Sequence, residues 1–208
     1  MITEPPTVLV LASQSPRRKD ILTVLGIPFQ VMVSSFKEAS SCPLPLECAR
    51  SNAQGKVSAL LTRFPELQER TVLGADTCID LDGSTIGKPK NRDEAREMLT
   101  SFSGREHQVI TALSFYTNGA FYLKTETTTV RFAPLKEGEI EAYLNHREWA
   151  GVAGGYRIQG RGAVLIDSLK GCYFNVMGLP IRLFYGMVAE RNSRLLEEWG
   201  FLNFRSAE

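Results

Sequence analysis

Short apolar runs alternate along the chain with segments in which apolar residues recur at helical spacing. Residues 7–12, Thr-Val-Leu-Val-Leu-Ala, predict a buried strand. Ser15-Pro16 then supplies a capping residue and a first-turn proline, Ile21, Leu22 and Leu25 form the helical stripe, and Gly26 closes it. A second strand is predicted at 29–33, a helix at 46–61, and a strand at 72–79 whose apolar run is interrupted by one carboxylate, Asp76. Asp82-Gly83 turns that strand back as a hairpin. Residues 93–102 predict a helix, and Asn118-Gly119 between 108–116 and 121–132 predicts a long β-hairpin. A helix at 136–146, a glycine-rich stretch at 151–162, a strand at 163–166 and a long helix from about 180 complete the pattern. Hairpins among crossover units predict an α/β fold with a mixed twisted sheet and flanking helices. Without repeats, low-complexity tracts or Gly/Ser linkers, residues 1–208 are expected to form one domain.

Composition narrows the function classes. Lys and Arg number 24 against 23 Asp and Glu, a formal +1, so neither long nucleic acid nor an anionic membrane is the expected partner and any anion site must be local. The longest apolar run, Val8 to Ala12, is far too short to span a bilayer. Met1 to Pro6, with an acid and two prolines, is unlike a secretory leader, and four cysteines are too few for a disulfide scaffold, which together predict a reducing cytoplasm. Cys42 and Cys48 have the wrong gap for a zinc knuckle, and His107 and His146 lie far away in sequence.

Four segments hold candidate chemistry. Ser13-Gln14-Ser15-Pro16-Arg17-Arg18 sits where a strand feeds a helix, and two arginines there oppose the helix dipole unless they are solvated or meet an anion; helix N–H groups, a hydroxyl and two guanidinium forks would suit a phosphate. Asp76, in Gly74-Ala75-Asp76-Thr77, must be hydrogen-bonded, cation-bound or cleft-facing, which suits general-base work or a hard divalent cation. Gly87-Lys88-Pro89 is not a P-loop, since Pro89 occupies the position that needs Ser or Thr, and Lys88 remains a loop cation; Lys56, on a helix, reads either as a second cation or as solvated surface. In Ala153 to Gly160, glycines allow close backbone approach, and the Gln159 amide offers a donor and an acceptor that can read a base edge.

In order along the chain, Leu11-Ala12-Ser13-Gln14-Ser15-Pro16-Arg17-Arg18, Asn52-Ala53-Gln54-Gly55-Lys56, Gly74-Ala75-Asp76-Thr77, Gly87-Lys88-Pro89, Met98 to His107, Ala153 to Gly160 and Asn175-Val176-Met177-Gly178-Leu179-Pro180 resemble the Maf family of nucleoside triphosphate pyrophosphatases. The resemblance implies a fold related to inosine triphosphate pyrophosphatases, with a cleft between two lobes. It implies hydrolysis of a nucleoside triphosphate to monophosphate and pyrophosphate with a divalent cation, Mg²⁺ or Mn²⁺. Asp76 would be the proton acceptor, Ser13, Arg17, Arg18, Lys56 and Lys88 would surround the phosphates, and Asp76 and Glu38 are the candidate metal ligands. Arg17, Thr77 and Gln159 would set substrate specificity, and Asp76-Thr77 with Gln159 is similar to the dTTP- and UTP-hydrolysing subgroup. A homodimer is compatible with this resemblance. Two segments depart from the family pattern: Glu148 to Ala153 lacks an expected Asp-Lys pair, and Cys172 to Asn175 replaces a Ser-rich turn. The rival reading is a non-enzymatic regulator of cell division that binds nucleotide or nucleic acid through Arg17 and Arg18.

Overall fold

The structure is a computed structural model that describes residues 7–39 and 44–202. The readings for Met1 to Pro6 and for Cys42 therefore lie outside the described residues. Among those described, Cys78 and Cys172 are free thiols. No helix there is long and apolar enough to cross a membrane.

The chain begins with β1 (Leu9–Ala12), α1 (Pro16–Val24), β2 (Phe29–Val31) and α2 (Pro45–Arg63), followed by a 3-10 turn (Pro65–Glu69). Next come β3 (Val72–Leu81), β4 (Ser84–Ile86), α3 (Arg92–Phe102) and the long hairpin of β5 (Glu106–Thr117) and β6 (Ala120–Phe132). After α4 (Glu137–Asn145) and 3-10 turns at Ala153–Gly155 and Arg161–Leu165, the chain ends with β7 (Ile166–Lys170), α5 (Tyr173–Met177), α6 (Ile181–Arg191) and α7 (Arg194–Glu198). The sheet is mixed, in the order β2-β1-β3-β5-β6-β7, with β4 also paired to β3. The parallel pairs among the described residues are β1 with β2 and β1 with β3.

Helices on both faces explain the unbroken apolar run of β1. Leu9 and Leu11 join Leu73, Phe115, Phe184 and Met187 on one side, while Val10 and Ala12 join Val57, Leu60 and Val72 on the other. A separate apolar core, with Ile79, Leu99, Phe102, Phe132 and Leu144, gathers α3 and α4 around the far ends of the same long strands. The molecule therefore has two lobes threaded by β3, β5 and β6.

Three expectations need correction. Residues 163–166 mostly form a 3-10 turn, and the strand follows as β7, a polar edge strand whose pattern gives little alternation. The helix after Pro180 is broken at Asn192, whose amide donates to the Thr117 hydroxyl at 2.9 Å and so ties the break to the end of β5. Ser15 occupies the N-cap of α1 but makes no side-chain cap; the hydroxyl that accepts a backbone N–H there is Ser13, from Ser15 at 3.3 Å.

Candidate active site

The sheet leaves a gap on one edge of β3. Pairing with β1 ends at Ala12 opposite Gly74, and pairing with β4 begins at Ile79, so Ala75 to Cys78 have no strand neighbour on that side. A cleft of about 910 Å³ opens over this gap, between the α1 entry, the loop after β2, the start of α2, the loop after β4 and the glycine-rich segment. That volume lies within the range typical of small-molecule sites. Ser13, Arg17, Arg18, Glu38, Lys56, Asp76, Thr77, Lys88 and Gln159 all line it.

Successive strand residues point to opposite faces, so Asp76 turns toward α2 and Thr77 toward α1. Asp76 Oδ1 accepts from Lys56 Nζ at 2.7 Å and its Oδ2 from Asn52 Nδ2 at 3.0 Å. Lys56 also donates to the Ala75 carbonyl at 3.1 Å and pairs with Glu38 at 2.8 Å. All three ammonium protons are thus held by protein oxygens, and Lys56 is a buried bridge between two carboxylates rather than a mobile surface cation. Burial pushes the Glu38 carboxyl up, but the hydrogen bond and charge of Lys56, with Lys88 and Arg18, outweigh it and hold the group below its ordinary value.

Glycines allow this assembly. A Cβ on Gly74 would lie 2.6 Å from the Ala53 carbonyl oxygen, so α2 approaches β3 closely enough to set Lys56 and Asn52 on Asp76 only because Gly74 has none. A Cβ on Gly55 would lie 2.3 Å from the Phe36 ring, which packs the Glu38 loop onto α2; Asn52 completes that attachment by accepting from the Ala39 N–H and donating to the Ala39 carbonyl.

On the other face, Arg18 is buried and donates to the Gly178 carbonyl at 2.7 Å, Ser13 Oγ at 2.9 Å and Thr77 Oγ1 at 3.0 Å. Thr111 gives its own proton to the Asn175 carbonyl, so Thr77, which accepts from Arg18, donates to Thr111 at 2.9 Å. Burial lowers the Arg18 pKa, opposed by the charges of Asp76 and Glu38. Arg17 donates to the Met177 carbonyl at 3.3 Å. Both acceptors lie at the C-terminal end of α5, where helix carbonyls favour cations. Asn175 fixes α5 there, donating to the Val109 carbonyl at 2.8 Å and to Thr128 Oγ1 at 2.9 Å. That clamp gives the Asn175 to Pro180 motif a physical reason.

Gly154, at φ 69°, turns the glycine-rich segment and donates its N–H to the Gly87 carbonyl at 2.9 Å, which joins it to the loop of Lys88. Tyr156 anchors the segment by a 2.8 Å hydrogen bond to His107 Nε2, while Gln159 remains exposed on the cleft wall. In the divergent stretch before it, Trp149 is buried with its N–H on the Leu144 carbonyl, and Val152 is buried at the cleft.

The sequence reading did not single out Asn52 or Arg157, and both line the cleft. Asn52 lies one helical turn before Lys56, so i,i+4 spacing offered a signal. Arg157, a lone cation among glycines, offered none. With it, five cationic side chains meet two carboxylates in the cleft, against a net +1 for the whole chain. Asp76 and Glu38 are hard oxygen donors on one shared lysine, and no cluster of three or more His, Cys, Asp or Glu exists among the described residues. Such a donor set fits Mg²⁺ or Mn²⁺ held by one or two carboxylates and completed by substrate phosphates.

Fold and cleft together define an α/β protein with a cation-rich cleft at a break in its sheet edge, around one fixed carboxylate. The family model described as Maf-like protein matches residues 8–191, and the chain belongs to that family. It is 42% identical over 174 residues to a dTTP/UTP pyrophosphatase of Bacillus velezensis, covering 83% of this chain and 90% of the relative. A protein of the same name from Symbiobacterium thermophilum is 41% identical over 194 residues, with 93% and 94% covered. One from Pyrococcus abyssi is 42% identical over 178 residues, with 85% and 92% covered.

Proposed function

We propose that this protein hydrolyses nucleoside triphosphates, dTTP and UTP foremost, to the monophosphate and pyrophosphate, and so clears unwanted nucleotides in the cytoplasm. The observation that carries the proposal is Asp76, a carboxylate fixed by Lys56 and Asn52 on the unpaired edge of β3 inside a cation-rich cleft. Lys56 and Asn52 each occupy one lone pair of the carboxylate, and the remaining lone pairs accept a proton from water. The water oxygen bonds to phosphorus, the anhydride bond between the α and β phosphates breaks, and pyrophosphate leaves with its electron pair. Arg17 and Lys88, which have donors to spare, balance charge on the phosphate oxygens. Arg18, with Ser13 and Thr77 as its partners, shapes the floor beneath them. A divalent cation held by Asp76 and Glu38 would supply further charge neutralisation. Gln159 reads the pyrimidine edge, because one amide satisfies a neighbouring donor and acceptor of uracil or thymine. A purine, with its larger ring, would not bring its own donor and acceptor to the same place, and an amide left unpaired costs about 1–3 kcal/mol per group, or about tenfold or more in specificity.

Pyrophosphate release from dTTP, UTP, CTP, ATP and GTP with Mg²⁺ or Mn²⁺ tests this reading. dTTP and UTP are expected to lead in kcat/KM, and Gln159→Glu to flatten the ranking without lowering the melting temperature. Binding of UTP without any release of pyrophosphate would instead mark a regulatory binding protein. An unchanged ranking in Gln159→Glu would move base selection elsewhere on the cleft wall.

A further inference from the structure

Arg157 is a cleft cation with a buried donor left unbonded. Among the described residues its Nε is buried without a hydrogen-bond partner, and its one side-chain hydrogen bond is a long one, from Nη2 to the Ala150 carbonyl at 3.4 Å. The ion pairs among the described residues include neither Arg157 nor Arg17. The two arginines nevertheless line the same cleft and repel each other: burial, then Arg18, then Arg157 lower the Arg17 pKa to about 10. A buried donor without an acceptor and two guanidinium groups on one cleft without a carboxylate are each unfavourable. An anion between them removes the repulsion, and guanidinium forks match phosphate oxygens in geometry. The backbone also holds Arg157 in place, since its N–H donates to the Tyr143 hydroxyl at 3.2 Å while the neighbouring Tyr156 is anchored on His107.

We infer that Arg157 is a further substrate-binding residue, which with Arg17 grips the terminal phosphates that leave as pyrophosphate. The inference rests on the proposed phosphoanhydride reaction and adds a residue to it. The terminal phosphates are the fit because they carry most of the charge of a triphosphate, and two unpaired guanidiniums need the most highly charged group. Gln159, two residues on, is left free for the base.

Calorimetric titration of inorganic pyrophosphate, with Mg²⁺ present, tests this without turnover. Arg157→Gln is expected to weaken pyrophosphate at least tenfold and to make its binding less dependent on salt, while Arg157→Lys recovers part of the affinity. In steady state the Gln variant should raise KM for UTP more than it lowers kcat, with the melting temperature within a few degrees of wild type. Unchanged pyrophosphate affinity, or a loss with no change in salt dependence and no rescue by lysine, would overturn the assignment and leave Arg157 a structural residue. Pyrophosphate binding that needs Arg157 in a protein that hydrolyses no triphosphate would sink the proposed reaction and keep the grip. Hydrolysis with pyrophosphate binding indifferent to Arg157 would do the reverse.

Discussion

At the scale of single residues, the site separates into side chains whose every nitrogen is bonded within the protein and those with polar atoms left over. Lys56, Arg18 and Asn52 belong to the first group and orient, whereas Arg17, Lys88, Arg157 and Gln159 line the cleft with atoms to spare. Asp76 joins both, with each oxygen tied to one protein donor. In Asp76→Asn, Lys56 keeps Glu38 and the Ala75 carbonyl, so no buried charge is stranded. The new amide nonetheless points its NH₂ at a donor, either Lys56 or Asn52, which costs about 1–2 kcal/mol and hence a few degrees of melting temperature. Turnover should fall far more, by about 10²–10⁴-fold, the usual contribution of a general base. Pyrophosphate release and thermal melting of the same preparation check both, and an Asn variant with near-normal kcat would remove Asp76 from the chemistry. Asp76 was legible in the sequence because a carboxylate breaks an apolar strand, a conflict that needs a reason. Arg157 and Asn52 broke no pattern, and only their neighbours in space give them meaning.

At the scale of elements, the cleft follows from strand lengths. A β1 that stops at Ala12 beside a β3 that runs to Leu81 leaves the edge on which Asp76 and Thr77 sit. Apolar runs and the Asn118-Gly119 turn made the strands of that core legible. β7, half-exposed and polar, and the five-residue α5 carry too few periods to register in a pattern of apolar residues. The two glycines under α2 distinguish packing from positioning. Gly74→Ala drives a methyl into the Ala53 backbone carbonyl, which cannot swing aside, so α2 must lift from β3 at a cost of about 1–3 kcal/mol. Gly55→Ala meets only the far edge of the Phe36 ring, and alanine is the better helix former by about 1 kcal/mol, so stability should barely change. Displacing Phe36 shifts the loop that presents Glu38, so activity should drop in Gly55→Ala although the fold is intact. Urea unfolding and UTP hydrolysis of the two variants decide this, and a Gly55→Ala enzyme as active as wild type would disconnect Phe36 packing from the site.

At the scale of the whole molecule, His107 links the glycine-rich segment to the core of the second lobe. Its ring packs against Phe102 of α3 and Phe132 of β6, and its Nε2 hydrogen-bonds the Tyr156 hydroxyl. No charge partner offsets its burial, which lowers its pKa from 6.5 to about 4. The native protein therefore keeps His107 neutral in a range where the unfolded chain takes up a proton. Above pH 6.5 both states are neutral and the residue adds no pH dependence; between 6.5 and about 4 stability falls as the pH falls. At about 1.4 kcal/mol per pH unit, the loss from pH 7.5 to 5 is about 2 kcal/mol. Carboxylates that titrate in the same range contribute too, so the comparison needs a variant that cannot protonate. His107→Gln retains a side-chain partner for Tyr156, and its urea midpoint should fall less steeply than wild type between pH 7.5 and 5, by that same free energy. Parallel unfolding curves for the two proteins would mean that His107 is not the group through which acid reaches the fold.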